Sequence, residues 1–202
     1  MQRRLPVLVL GTCYPGVELS ELDADYRAVC RHAVTTLWRL GHRSMALVTL
    51  KRGFGGDLLG EQGFSEACRD LGVRCRILYH AGDSTDLLRG IGALIRENER
   101  PTALVVARSR YALTIAGYLR EQGLRLPGDI SLICRDSNDF LAWSVPPIAR
   151  YAVNADLFAK RVARALVRLA TGEQRLLRLP KLMPRFITGG TVAPPSRPAH
   201  SI

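Results

Sequence analysis

Short apolar runs alternate with amphipathic stretches of helical period along most of this sequence, and that alternation leaves few folds open. "LPVLVL" at 5–10 is stopped by Gly11, "SMALVTL" fills 44–50, "RCRILYH" begins at 74, "TALVVA" follows Pro101, and "DISLIC" ends at Cys134. Each has the length and apolar density of a strand. Between them the period changes. From Asp25, Tyr26, Val29, Cys30, Ala33, Leu37 and Leu40 share one face, and Gly41 closes that helix. "GFSEACRDL" at 63–71, "STDLLRGIGALIREN" from Ser84 with Ser84 as its cap, and "YALTIAGYLREQG" from Tyr111 are read as helices. "VPPIARYAV" is an extended segment, since two prolines keep it out of a helix. It is followed by the helix "ADLFAKRVARALVRLATG" from Ala155 and a last β-like stretch near 176–187. Strands alternating with helices require right-handed crossovers and a parallel sheet with helices on both faces.

In such an open sheet small ligands bind beyond the carboxyl ends of the strands, where loops diverge and helix N-termini present unpaired N–H groups. "ARSR" and "CRDSND" stand at two such ends, so Arg108, Ser109, Arg110, Arg135 and Asp136 are expected along one rim. An arginine at a helix N-terminus opposes the helix dipole. Its presence is easier to understand if an anion or a hydroxylated ligand pairs with it.

The 202 residues are 47% hydrophobic, enough for one ordinary core, and 29 Lys and Arg against 18 acids give a net charge of +11 that favours anionic partners. No window approaches the roughly 18 unbroken apolar residues of a membrane span, and no export signal is expected from "MQRRLPVLVLGTCYPG". Cys13, Cys30, Cys68, Cys75 and Cys134 are odd in number and form no C-x-x-C pair, which fits reduced thiols in a cytoplasm.

Catalytic patterns are weak. No G-x-S-x-G elbow occurs, and His32, His42, His80 and His200 have no ligand spacing, so neither a metal nor another cofactor is expected. "GFGGDLLG" at 53–60 follows a strand but matches neither phosphate-binding fingerprint and is read as a flexible loop. Asp136 and Asp139 could pair for acid and base work, though loop aspartates more often bond a turn. Arg161, Arg164 and Arg168 make a basic stripe with no interleaved groups for base readout, as on a solvated face.

"LPVLVLG", "LWRLGHRSMALVT", "GEQGFSEACRDLG", "RPTALVVARSRYALTIAGYLREQGLRLPGDISLICRDSNDF", "SVPPIARYAVNADLFAKRVARALVRLATGE" and "LPKLMPRFITGGT" run through nearly the whole chain. In that order they resemble the effector-sensing part of the lactose-repressor (LacI/GalR) family of transcription regulators. The resemblance implies a periplasmic-binding-protein-like α/β fold of the type I, flavodoxin-like kind. It further implies a small sugar or sugar-acid effector between two lobes, a homodimer, no membrane, and operator DNA bound through a headpiece that this sequence does not contain. On the family's layout, residues 1–24 are a remnant of the first lobe and 25–150 the second. Residues 151–175 are the hinge and a helix of the first lobe, 176–191 the closing strand of the second, and 192–202 a disordered tail, as in an N-terminally truncated chain.

The resemblance places Asp136 where the family's aspartate bonds ligand hydroxyls, with Arg108 and Ser109 where "AND" is common. The family's ligand-clamping arginine is here Gly60, and Val153 replaces a frequent polar hinge residue. Positive charge is therefore expected to have moved from position 60 to Arg108, with Arg110 or Arg135, to suit an acidic or otherwise atypical effector. The rival expectations are a solute-binding protein of a transport system and a small α/β enzyme using Asp136 and Arg108. The expected outcome is a cytoplasmic regulator with no enzymatic activity, whose charge allows only weak, salt-sensitive contact with DNA by this part alone.

Overall fold

The structure, a computed structural model, describes residues 6–136, 138–172 and 176–196. Its strands are β1 (Leu8–Leu10), β2 (Ser20–Leu22), β3 (Ser44–Leu50), β4 (Arg74–His80), β5 (Ala103–Val106), β6 (Ser131–Cys134), β7 (Ala149–Ala152) and β8 (Arg185–Ile187). The helices are α1 (Tyr26–Arg39), α2 (Gly55–Asp70), α3 (Ser84–Arg96), α4 (Ser109–Glu121) and α5 (Ala155–Ala170).

The main sheet runs β4-β3-β5-β6-β7-β8, parallel except for β8, which returns antiparallel beside β7. Side chains alternate between its faces with the period of two that a strand imposes. Met45, Leu47, Val105, Ile133 and Tyr151 pack with Val29, Ala33 and Leu37 of α1 and with Phe64 and Cys68 of α2. Ala46, Val48, Leu104, Val106 and Leu132 pack with Leu87 and Ile91 of α3 and with Ile115 and Leu119 of α4. Burial on both faces is why these strands read as unbroken apolar runs.

A smaller layer lies apart from this sheet. β1 and β2 pair in parallel, and Arg178 and Leu182 bridge to Glu21 and Ala24 beside β2. Ala165 and Leu169 of α5 close on Leu177, Leu8 and Leu179. The segment 176–187, expected as one strand, is thus divided: Arg178 and Leu182 pair with the β2 segment, and only Arg185–Ile187 joins the main sheet. β2 itself, "SEL", is too short and too polar to show in the sequence.

Two other expectations are corrected. The cap of α3 is Asp83, whose extended backbone lets its carboxylate accept from Asp86 N at 2.8 Å, and Ser84 is the first helical residue. The chain past Val192 is not a loose tail as far as Ser196. Ala193 exchanges bonds of 3.0 and 3.1 Å with the Ser131 hydroxyl and bonds a ring nitrogen of His42 at 2.9 Å. Thr191 Oγ1 donates to Leu132 O at 2.6 Å and accepts from Ala149 N at 3.0 Å, so backbone groups that the sheet leaves unpaired anchor this segment. Leu5 of the expected first strand and residues 197–202 of the expected tail lie outside the described residues, as does the 173–175 end of the expected hinge-helix segment. No described helix is long and apolar enough to cross a membrane.

His42 and His80 are both buried, and burial lowers the pKa of each ring below 6.5; Asp86 and Asp83 only partly oppose this at His80. A histidine harder to protonate in the folded state stabilises the fold above its unfolded pKa, and that contribution is lost as pH falls below it. The melting temperature is therefore expected to drop between pH 7.5 and pH 5, roughly the range that brackets an unperturbed histidine. His80→Leu, replacing a ring that has no hydrogen-bond partner and packs edge-on to Tyr111, is expected to flatten that drop when thermal unfolding is followed across the range.

Candidate effector site

The order of the main sheet reverses between β3 and β5, so the loops leaving their carboxyl ends diverge, the position at which open sheets of this kind take ligands. The loop after β3 feeds the start of α2, the loop after β5 supplies Arg108 and Ser109, and the end of β6 supplies Arg135 and Asp136. Asp57, in the first turn of α2, joins these parts. Its Oδ1 accepts from Arg135 at 2.5 Å, and its Oδ2 accepts from Arg108 at 2.6 Å and from Phe54 N at 2.9 Å. Burial alone would raise the Asp57 carboxyl, but the Arg135 charge, the Phe54 N–H and the Arg108 charge together hold it below the ordinary carboxylate range.

Arg135 is the deepest member. Its side chain is 1% exposed, it donates to Gly56 O at 3.1 Å, and its guanidinium lies over the Tyr26 ring at 4.3 Å. Gly60 makes the room: a methyl group at position 60 would overlap that guanidinium and press on the Cys30 sulfur. Burial pushes the Cys30 thiol up to about 11, with the Arg135 charge pulling the other way. The Arg135 guanidinium thus fills the space that a side chain at position 60 would need.

Arg108 is the outer member, with a quarter of its side chain exposed and its guanidinium 5.5 Å from the centre of the exposed Phe54 ring. The dipole problem posed by arginines at the start of α4 is met by Asp136, whose Oδ2 accepts from Ser109 N at 3.3 Å and from the Ser109 hydroxyl at 3.0 Å. Asp136 and Arg108 thus share one end of the sheet. Arg110 does not join them. It stacks on Tyr111 at 4.7 Å and donates to the Tyr111 hydroxyl, which bonds Gly82 O after β4. The expected rim is refined on two points: Arg110 lies toward the end of β4, apart from the cluster, because the next helical residue offers it a ring, and Arg135 is buried under the rim.

The small layer meets this end of the sheet. At Gly55 a side chain would strike the Thr12 and Cys13 carbonyls, and at Gly56 the Tyr26 ring, with Asp23 close by. Thr12 donates to Asp23 at 2.8 Å, the Tyr14 hydroxyl donates to Gly53 O at 3.0 Å, and Lys181 pairs with Glu21 at 3.1 Å. Asp57 and Tyr26 were not anticipated from the sequence. The available signal for Asp57 was an acid three residues after Phe54 at a helix start, hidden because "GFGGDLLG" was read as a loop.

A parallel sheet with a buried charge cluster at its switch point, met there by a second and smaller layer, defines a two-layered α/β domain. The chain belongs to the family of periplasmic binding protein-like domains, whose model matches residues 34–192, in the form carried by LacI-type regulators. It is 33% identical over 139 residues to the probable opine utilization operon repressor of Rhizobium rhizogenes, covering 61% of this chain and 67% of that protein. It is 27% identical over 155 residues to the HTH-type transcriptional repressor CytR of Escherichia coli (strain K12), covering 75% of this chain and 46% of the relative. The chain thus spans under half of that second relative's length. A LacI-type regulator from a Rhodococcus species superposes with a TM-score of 0.85 at 23% identity, covering 95% of this chain and 71% of that structure, and shares its fold.

Asp57→Ala would leave the buried Arg135 charge uncompensated and is expected to cost about 3 to 5 kcal/mol in chemical denaturation. Gly60→Ala is expected to destabilise as well, because the atom it meets belongs to a side chain held in place by its ion pair.

Proposed function

We propose that this chain is the effector-sensing and dimerising part of a LacI-type transcription repressor. A small hydroxylated or acidic metabolite binds at the carboxyl ends of β3, β5 and β6, between the main sheet and the layer carrying Thr12 and Asp23. The observation that carries this reading is the convergence of Arg108, Ser109, Asp136 and Asp57 at the switch point, with the backbone of Thr12 and Cys13 packed on Gly55 in the same first turn of α2 as Asp57. A ligand that bonds both layers favours one arrangement of them, and that population shift is passed to an operator-reading headpiece carried elsewhere in the whole regulator. The repressor relatives support the operator as the partner, and the five reduced cysteines support a cytoplasmic setting. In this reading the site binds its ligand without turning it over, and Ser109 and Asp136 serve each other at the start of α4.

Dimerisation is assigned to the surface around the end of α4. The exposed Leu113 and Val145 line a groove of about 610 Å³ there with Gly117 and Arg120, and Phe140 and Trp143, close before Val145 in the chain, are exposed as well, Trp143 to 86%. A clustered apolar surface of this kind marks a protein contact. A second copy of the chain is the occupant that a symmetric regulator supplies.

Two experiments test the reading. Calorimetric titration with a panel of neutral sugars, sugar acids and opines is expected to give saturable binding that Asp136→Ala weakens, with no product formed; turnover would reject it. Trp143→Glu is expected to convert a dimer to a monomer in sedimentation velocity while leaving the melting temperature of the fold nearly unchanged.

A further inference from the structure

We infer that the effector carries an oxyanion, a carboxylate or a phosphate, and that Arg108 takes it by leaving Asp57. The inference rests on the proposed effector site and adds the chemical class of its ligand.

Asp57 is shared by two guanidinium groups, Arg135 at 2.5 Å and Arg108 at 2.6 Å. The two arginines are not equivalent. Arg135 is enclosed on every side the structure describes, by Asp57, Gly56 O, the Tyr26 ring and the backbone at Gly60, and its side chain is 1% exposed. Arg108 has a quarter of its side chain in solvent, and its guanidinium lies beside the exposed Phe54 ring. Arg108 is therefore the partner that can be exchanged, and Arg135 the one that cannot.

The exchange leaves nothing stranded. When Arg108 swings to a ligand, Asp57 keeps Arg135 on Oδ1 and the Phe54 N–H on Oδ2, so no buried carboxylate loses all its partners. A ligand oxyanion gives Arg108 a full charge in return for the one it leaves. A neutral hydroxyl offers only a dipole and would have to break the ion pair for less. Arg108 is thus the specificity-determining residue, while Asp57 and Arg135 are positioning residues that hold it ready.

The test is isothermal calorimetry on the whole chain at low salt with two matched pairs, D-glucuronate against D-glucose and D-ribose 5-phosphate against D-ribose. In at least one pair the anionic member is expected to bind roughly tenfold or more tightly, with a preference that shrinks as salt is added. The pair that responds tells carboxylate from phosphate. Arg108→Gln is expected to abolish the preference. Arg108→Lys, keeping the charge but losing the fork, is expected to retain it at reduced strength, which guards against a glutamine variant that fails to fold. Neutral sugars binding as tightly as their acids, or an anion preference that survives Arg108→Gln, would overturn the inference and leave the effector-site reading standing. A panel from which nothing binds counts against both.

Discussion

A guanidinium sealed beneath the crest of a parallel sheet is tolerable only if a carboxylate meets it, and here Arg135 is met by Asp57 at 2.5 Å. That contact fixes the first turn of α2 against the end of β6. It thereby sets the height at which Arg108 leaves β5 and the place where Phe54 is presented. The same turn of α2 receives the backbone of Thr12 and Cys13 from the smaller layer. The ion pair is therefore the common support of this end of the sheet and of the contact between the two layers, and movement of either is felt by the other.

The main sheet was legible in the sequence because its strands are buried on both faces. The strands expected at 44–50 and 74–80 have those bounds in the structure, and the helices from Tyr26, Ser84 and Tyr111 were placed within a few residues. α2 was legible only in its second half. Its first turns contain Gly55, Gly56 and Gly60, which by propensity argue against a helix. They are glycines because the Thr12 carbonyl, the Tyr26 ring and the Arg135 guanidinium each occupy the place of a side chain, a demand made by distant residues. Gly63 likewise admits the Arg27 carbonyl of α1. Losing those turns to a loop hid Asp57, and without Asp57 the burial of Arg135 could not be foreseen.

The resemblance to LacI-type regulators drew attention to the carboxyl ends of β5 and β6, and the packing changes how the charges there are read. Arginines at a helix start first pointed to a missing anion. Two carboxylates turn out to be supplied from within, Asp136 for the start of α4 and Asp57 for the two guanidinium groups. The group left partly open to solvent is Arg108, whose side chain is a quarter exposed. A ligand spanning the two layers would couple them, which is the physical requirement for a sensor whose output is a change in their relative arrangement.

The most direct test of this account is a double-mutant cycle in chemical denaturation between Asp57→Ala and Arg135→Met. If the buried pair is the support described, Asp57→Ala is far more damaging when Arg135 is present than when it is methionine, and the double variant is more stable than Asp57→Ala alone. Effects that simply add would show that the two side chains are neighbours without being each other's support, and would contradict the account.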